Sequence, residues 1–243
     1  DPIVERFRFF HKGEITTYGV SKYEKDFKHP LSWTIDAAYC PLCETKLRYK
    51  YYHYGHVGNY ACPNCSFKRG RVDYEAKDIH MDKAFMTINN CIVHLNKKVF
   101  FAVYYTLASF TLCHVIGMKT EDIQRELNED ILEAKRMKNE KLGNRIVEMI
   151  ESKNENALSY FQSIQYIREH KGTKTIIMGF DNVSRRYAFN DISWLYDVDF
   201  ELLNIDSVDK IFCIGRFRND VYTRLLYAGI PKNKLILIDN EKE

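Results

Sequence analysis

The sequence lacks the glycine motifs that mark several large enzyme classes. None of its eleven glycines forms G-x-x-x-x-G-K-[ST], G-x-G-x-x-G or G-x-S-x-G. These absences exclude a P-loop phosphate cradle, a dinucleotide fingerprint and a nucleophile elbow within the 243 residues. The net charge is also small, at +3, so bulk charge gives no reason to expect nucleic-acid binding.

The sequence has little that indicates secretion or membrane insertion. The first ten residues are charged and contain no apolar signal-peptide core, so we expect a cytoplasmic protein. The uncharged run 99–116 has only the minimum length of a spanning helix and contains Tyr, Thr, Ser and His residues. We therefore expect a buried core helix that ends at Gly117.

What is present is an ordinary globular composition, with 45% apolar and 28% charged residues. Beyond residue 133, predicted strands alternate with predicted helices, which favours an α/β domain with a mainly parallel sheet covered on both faces. A charged stretch near that point marks the expected boundary between domains 1–132 and 133–243. The predicted strands are 145–150, 174–180, 210–214 and 234–238, and the predicted helices are 157–167 and 219–228.

Four of the seven cysteines form two C-x2-C pairs, Cys40 with Cys43 and Cys62 with Cys65. Zinc prefers four soft thiolates in a tetrahedron, and each short pair supplies two of them from one tight turn. We predict one structural Zn²⁺ in a small ribbon at residues 36–72, inserted into an α/β protein. Four thiolates leave no open metal position for catalysis.

The eighteen residues between the pairs contain two strand-like stretches, 48–54 and 59–61, which predict a hairpin that brings the turns together. An odd cysteine count with this spacing makes a disulfide framework the poorer interpretation. The remaining thiols, Cys91, Cys113 and Cys213, lie in apolar surroundings and are interpreted as small buried hydrophobes.

The ribbon also carries two histidines and a set of cations interleaved with tyrosines. His53 and His56 could each replace a sulfur ligand, but we interpret them as aromatic-like surface or support residues. Basic and stacking residues can bind single-stranded nucleic acid. The preferred alternative is that the cations offset the net −2 charge of a four-thiolate zinc site while the tyrosines pack the hairpin. The cations are Lys46, Arg48, Lys50, Lys68, Arg69 and Arg71, and the tyrosines are Tyr49, Tyr51, Tyr52, Tyr54 and Tyr60.

Four parts of the sequence together form a recognisable pattern. They are Asp1-Pro2 with Thr17-Tyr18-Gly19-Val20; segments 39–43, 54–56 and 60–68 of the ribbon; Asp191-Ile-Ser-Trp-Leu-Tyr-Asp-Val-Asp-Phe-Glu201; and segments 215–220 and 224–229. The pattern resembles the MurT family, the Mur-ligase-like subunits of lipid II isoglutaminyl synthase. The stretch that begins at Asp191 is the most specific of the four.

The resemblance implies a fold. Residues 1–132 correspond to the remainder of a Mur ligase central domain with the four-cysteine zinc ribbon inserted, and residues 133–243 to a Rossmann-like Mur ligase carboxyl-terminal domain that lacks its end. Because the nucleotide loop is missing and Asp1-Pro2 matches the middle of a domain, we expect a fragment of a longer ligase. By itself, this segment is expected not to hydrolyse ATP.

The resemblance also implies a reaction. Family members amidate the D-glutamate α-carboxylate of lipid II to D-isoglutamine through an acyl phosphate, with ammonia from a glutaminase subunit, GatD. A carboxylate resists attack until its oxygen becomes a good leaving group. We accordingly expect ATP and Mg²⁺ in the full-length protein, and lipid II and GatD as partners. We expect a location at the inner face of the membrane, contact with the membrane only through the substrate, and no nucleic acid.

One carboxylate is a candidate catalytic residue on the same resemblance. Asp191 matches the motif aspartate that orients the catalytic histidine of the glutaminase, the third member of a Cys-His-Asp arrangement. Its alternative role is to cap the helical turn before Trp194. Asp197 and Asp199 are weaker alternatives.

Three further residues are candidates for nucleotide or substrate binding. Lys153-Asn154 resembles a Lys-Asn-Pro segment near the nucleotide, although Glu155 replaces the proline. Arg136 resembles the arginine of a Gly-Arg-Met segment whose glycine is lost, and a solvated charge run is its alternative. Two other functions also stay open at this point: a catalytically degenerate scaffold for the glutaminase, and a zinc-ribbon module that binds nucleic acid.

Overall fold

The protein folds into two compact units, Asp1–Met149 and Ile150–Glu243. The boundary expected at 132/133 falls within residues 130–136, outside the described part of the chain, and remains a prediction. The computed structural model describes residues 1–31, 35–129, 137–152, 157–180 and 191–239.

The first unit is built on a four-stranded mixed sheet in the order β1-β4-β5-β6. Strand β1 runs parallel to β4, whereas β4, β5 and β6 are antiparallel neighbours. Two further hairpins, β2–β3 and β7–β8, form separate two-stranded sheets. The elements are α1 (Pro2–Glu5), β1 (Tyr18–Val20), β2 (Arg48–Tyr54), β3 (Val57–Ala61), β4 (Tyr74–His80), β5 (Phe85–Ile88), β6 (Cys91–His94), α2 (Phe100–Val115), α3 (Thr120–Asn128), β7 (Met137–Leu142) and β8 (Arg145–Ile150).

The β5–β6 hairpin turns at two asparagines. Asn89 and Asn90 have φ of 44° and 73°, in the left-handed region that asparagine tolerates better than most residues. The Asn89 side chain also accepts a hydrogen bond from Glu75 N at 3.0 Å and donates to Asp73 O at 2.8 Å. The turn is therefore fixed both by local chemistry and by β4.

Helix α2 covers the sheet, as the uncharged run predicts. Its buried residues recur every three or four positions, at Val103, Leu107 and Phe110 among others, and pack against Met86, Ile88 and Val93 of the sheet. Among the helices of the described ranges, none combines the length and apolar character that a membrane span requires. Helix α2 is thus a core helix on one face only, because Tyr105, Leu112 and Val115 on its other face are more than half exposed.

The first turn of helix α3 carries two acidic residues. Lys119 occupies the N-cap position without a side-chain hydrogen bond, and Thr120 is the first helical residue. Glu121 and Asp122 nevertheless lie in the first turn, where negative charge interacts favourably with the helix dipole.

The second unit contains a three-stranded, fully parallel sheet in the order β11-β10-β9. Its core includes Ile211, Cys213 and Leu225, all completely buried. Ile177 of β9 is 67% exposed, so one face of this strand is not covered within the described residues. The elements are α4 (Ala157–Glu169), β9 (Lys174–Gly179), β10 (Val208–Ile214), α5 (Arg218–Tyr227) and β11 (Leu235–Leu237).

Two short 3-10 stretches, Ser193–Asp197 and Phe200–Leu203, form what we call the 193–203 segment. Arg224 of α5 holds this segment from within the core, where its side chain is only 6% exposed. Its guanidinium donates to Leu195 O at 3.2 Å and to Val198 O at 2.7 Å, and it pairs with Glu201 at 2.9 Å. The planar fork of arginine suits this simultaneous contact with three groups.

Replacing Arg224 with leucine is expected to destabilise the second unit by about 2–4 kcal/mol, because two buried carbonyls lose their donors. Glu201 is 38% exposed, so loss of its charge pair contributes little. Urea denaturation measures the change. Arg224→Lys keeps one donor group and should recover part of the stability; equal stability of all three proteins would contradict this role.

Candidate functional site

The ribbon is organised by the β2–β3 hairpin. The two strands pair in antiparallel register, with Tyr49 opposite Tyr60 and Arg48 opposite Ala61. Each C-x2-C turn is closed by backbone hydrogen bonds: Cys40 N donates to Thr45 O at 2.8 Å, and Cys62 N donates to Phe67 O at 2.7 Å. The hairpin therefore brings the two turns to one end, as the strand pattern predicts.

Four sulfurs meet at this end. The Sγ atoms of Cys40, Cys43, Cys62 and Cys65 all lie within 4.8 Å of one another. The Cys40–Cys65, Cys43–Cys62 and Cys43–Cys65 separations are 3.6, 3.5 and 3.6 Å. Within the described ranges, this is the one group of His, Cys, Asp or Glu side chains close enough to share a metal ion.

The sulfurs are also surrounded by donors that stabilise thiolates. Leu42 N points to Cys40 Sγ at 3.5 Å, and Asn64 N points to Cys62 Sγ at 3.4 Å, the same i+2 geometry in both turns. Hydrogen bonds with the Thr45 hydroxyl and backbone lower the pKa of Cys43 to about 6. A backbone hydrogen bond from Phe67 favours the Cys65 thiolate, but burial and the three neighbouring sulfurs raise the pKa of Cys65 overall. The Thr45 and Phe67 contacts favour the ionised form that a metal requires.

The donor set and its spacing fit a tetrahedral ion. A Zn–S bond of about 2.3 Å implies sulfur separations of about 3.8 Å in a regular tetrahedron, close to the 3.5–3.6 Å observed for three pairs. Four thiolates select a soft or borderline metal over Mg²⁺ or Ca²⁺. The predicted ligand set is thus brought together in space and can hold a metal ion.

The two ribbon histidines are not near the sulfurs. His53 Nδ1 lies 2.6 Å from Asp26 Oδ1, and its Nε2 lies 3.2 Å from Val20 O. His56 Nε2 lies 3.3 Å from Asp1 Oδ2. Both rings are buried, so the surface interpretation is wrong and the support interpretation is correct: they tie the hairpin to the residues around β1.

The tyrosines pack the hairpin, in agreement with the preferred interpretation of the sequence. Tyr49 stacks on Tyr52 at 4.2 Å between centroids, and Tyr60 stacks on Phe67 at 5.8 Å. Arg69 is structural, since it donates to Tyr51 Oη at 3.0 Å and Val20 O at 2.8 Å. The other five ribbon cations are exposed, and within the described residues they have no hydrogen bond or ion pair to an acidic side chain.

Asp191 lies at the start of the 193–203 segment with an exposed side chain. Its Oδ1 accepts a hydrogen bond from Ser193 N at 2.9 Å, and Trp194 Nε1 donates to Asp191 O at 3.1 Å. The hydrogen bonds from Ser193 lower the pKa of Asp191, so the group is a carboxylate at neutral pH. A turn-stabilising role is therefore visible, and the exposed carboxylate is also accessible to a partner.

The other candidate residues differ in what the structure shows of them. Asp199 is only 5% exposed, which makes it a poor choice for contact with another protein. Arg136, Lys153 and Asn154 all lie outside the described residues. Their assignment to nucleotide or substrate binding remains a prediction. Sequence reasoning did not identify Arg224 as a structural residue. Its position between Val221 and Leu225 on an apolar helix face is a pattern that could have indicated a buried arginine.

Comparison with known proteins places the chain near one family. Residues 153–243 match the model of the MurT ligase C-terminal family. The chain is 26% identical over 232 residues to the lipid II isoglutaminyl synthase subunit MurT of Staphylococcus aureus, covering 95% of this chain and 51% of that protein. It is 21% identical over 207 residues to MurT of Streptococcus pneumoniae, covering 83% and 45%. The chain thus spans about half the length of the curated relatives it matches, and the resemblance to MurT is confirmed.

Solved structures support the expected fold. A pseudomurein peptide ligase type C from Methanothermus fervidus aligns with a TM-score of 0.68 at 20% identity, covering 100% of this chain and 45% of that one. MurF from Acinetobacter baumannii aligns with a TM-score of 0.53 at 18% identity, covering 70% and 36%. At these identities the likeness concerns the fold alone, which is of the Mur ligase type.

Proposed function

We propose that this chain, whose residues 153–243 match the model of the MurT ligase C-terminal family, is part of the ligase subunit of a lipid II isoglutaminyl synthase. The reaction is ATP-dependent amidation of the D-glutamate α-carboxylate of lipid II to D-isoglutamine, with ammonia from a glutaminase subunit such as GatD. It would take place at the cytoplasmic face of the membrane that holds the substrate.

The observation that supports this proposal most is the position of Asp191. Its carboxylate is exposed, ionised and held by Ser193 at the start of a segment that Arg224 clamps to the core. A fixed carboxylate of this kind can accept a hydrogen bond from an imidazole of the glutaminase and hold that ring in one tautomer. We propose that Asp191 completes the partner's catalytic Cys-His arrangement in this way.

The ribbon has a structural part in the proposal. We propose that Cys40, Cys43, Cys62 and Cys65 hold one Zn²⁺, which closes the site and leaves no position for a substrate. The ion would then stabilise the hairpin, and through His53 and His56 the residues around β1.

ATP and Mg²⁺ would supply the activation that an amide-forming ligase needs, by converting the unreactive carboxylate to an acyl phosphate with a good leaving group. The proposed nucleotide or substrate contacts are Arg136, Lys153 and Asn154. Two positive side chains and an amide suit the phosphate groups of a nucleotide.

The proposal is tested by mixing this chain with its glutaminase subunit and measuring glutamine hydrolysis. Because general acid–base catalysis depends on the orientation of the imidazole, the chain should raise hydrolysis by about a hundredfold or more over the isolated glutaminase. Size-exclusion chromatography should show a complex of the two proteins.

A matched measurement follows amidation of lipid II by the full-length ligase and the glutaminase, with ATP and glutamine, by mass spectrometry. D-isoglutamine in the product supports the proposal. No complex and an unchanged rate of glutamine hydrolysis, together with no amidation, would overturn it.

A further inference from the structure

The ribbon hairpin has two faces of opposite character. In antiparallel pairs, residues opposite each other point to the same face of the sheet. Tyr49 and Tyr60 form one such pair and pack with Leu47 and Phe67 against the sulfurs. The chain therefore turns its apolar side chains towards the four cysteines.

The opposite face is basic. Arg48 pairs with Ala61, and Ala61 pairs in turn with Lys68. Lys46 lies two residues before Arg48 and pairs with Tyr39. We call this set the basic face; its members are Tyr39, Lys46, Arg48, Ala61 and Lys68, of which three carry a positive charge.

The cations of the basic face are free to meet an external anion. Lys46, Arg48 and Lys68 are exposed, and within the described residues none has an acidic partner. They alternate along the chain with Leu47, Tyr49 and Phe67, which pack with the cysteines, so the strand pattern places them on the opposite side of the hairpin. Direct neutralisation of the metal site therefore does not explain them. Residues 36–72 contain six Lys or Arg against two acidic residues, which leaves a net +2 even when four thiolates and Zn²⁺ are counted.

An aromatic side chain accompanies the charges. Tyr39 is 62% exposed, and Leu42, in the first cysteine turn, is 39% exposed. Tyrosine is enriched where proteins meet the membrane–water interface, because its ring is amphipathic. A face with several cations and an exposed tyrosine complements an anionic phospholipid surface.

We propose that the basic face docks the protein directly onto an anionic membrane surface. The inference rests on the proposed function, in which the substrate is a membrane lipid, but it adds a contact that does not pass through that substrate. Each cation near an anionic bilayer strengthens binding by about fivefold at moderate salt. Three cations on a rigid, metal-held hairpin would together favour the bound state by about a hundredfold.

The test is vesicle sedimentation with the zinc-loaded chain. One set of vesicles contains phosphatidylglycerol mixed with phosphatidylcholine, and the other contains phosphatidylcholine alone. Binding is expected only to the anionic set, and it should be lost between about 0.1 M and about 0.5 M salt because the charges are screened. The triple variant Lys46→Gln/Arg48→Gln/Lys68→Gln should bind about a hundredfold more weakly while keeping its zinc.

A matched control removes three exposed lysines elsewhere, in Lys83→Gln/Lys119→Gln/Lys232→Gln. Retention of anionic-vesicle binding by this control supports a defined face. Equal loss in both variants, or equal binding to neutral vesicles, would overturn the proposal. So would tighter binding to a single-stranded RNA oligonucleotide than to anionic vesicles at the same salt.

The two proposals fail separately. Amidation of lipid II dispersed in detergent reports the proposed function and needs no vesicle. Intact amidation without vesicle binding would refute only the proposal that the basic face docks on membranes. Vesicle binding without amidation or glutaminase activation would refute only the proposed enzymatic function.

Discussion

Replacing Cys62 with serine is expected to abolish metal binding and to unfold the ribbon. Three thiolates cannot close a tetrahedral structural site, and structural zinc contributes about 10–16 kcal/mol of binding free energy in zinc-finger peptides. The buried core beneath the hairpin is small, consisting of Cys40, Leu47, Tyr60, Cys62 and Phe67, and two of these are ligands. The contacts of His53, His56 and Arg69 hold the far part of the hairpin and leave the cysteine turns to the metal. Zinc content per chain and tryptic cleavage within residues 36–72 measure the two effects.

The rest of the first unit is expected to stay folded in this variant. Its sheet has a separate core, which includes Met86, Ile88, Val93 and Leu107, so unfolding should be local. Cys113→Ser is the matched control, because Cys113 is half-buried and lies outside the sulfur cluster. Wild-type protein without bound metal, or a Cys62→Ser variant with full zinc content, would contradict the predicted site.

Replacing Asp191 with asparagine is expected to lower glutamine hydrolysis by the complex by about 10²- to 10⁴-fold. The third member of a catalytic triad holds the imidazole in the correct tautomer and stabilises its charged form, and a neutral amide does neither. Glutamine turnover of the reconstituted complex is the measurement, with zinc content as a check that the ribbon is intact.

This substitution separates the two roles of Asp191. The side-chain oxygen of asparagine can still accept the hydrogen bond from Ser193 N, so the turn before Trp194 should persist. Asp206→Asn removes an exposed carboxylate from the same unit and should leave hydrolysis unchanged. Full glutaminase activity in Asp191→Asn would show that Asp191 only stabilises the turn before Trp194 and has no catalytic role.

Several elements follow from local sequence chemistry. The C-x2-C spacing identifies the sulfur cluster because each pair can meet only through a tight turn. The asparagine pair at 89–90 identifies the β5–β6 turn, and the uncharged run identifies α2. In the second unit, strands β9, β10 and β11 lie within a few residues of their predicted ranges, since short β-branched runs between glycines and charged loops are typical of buried parallel strands.

Other elements gave no usable signal. Strand β7, Met137–Leu142, contains three charged residues, so its composition indicates a solvated run. It is a strand because β8 supplies the hydrogen-bond partners. Strand β4, Tyr74–His80, is similarly polar and buries only Ala76 and Ile79, and its pairing with β1 crosses more than fifty residues of chain. Local strand propensity does not predict which strands pair when they are so far apart in the sequence.

The sequence alone thus determined the sulfur cluster, the family resemblance and the order of strands and helices in the second unit, because these depend on spacing and periodicity along the chain. Only the tertiary structure decided which acids hold His53 and His56, how Arg224 clamps the 193–203 segment, and which face of the ribbon carries its free cations. Those outcomes depend on cross-strand register and on contacts between distant residues, where a shift of one position exchanges the two faces of a strand.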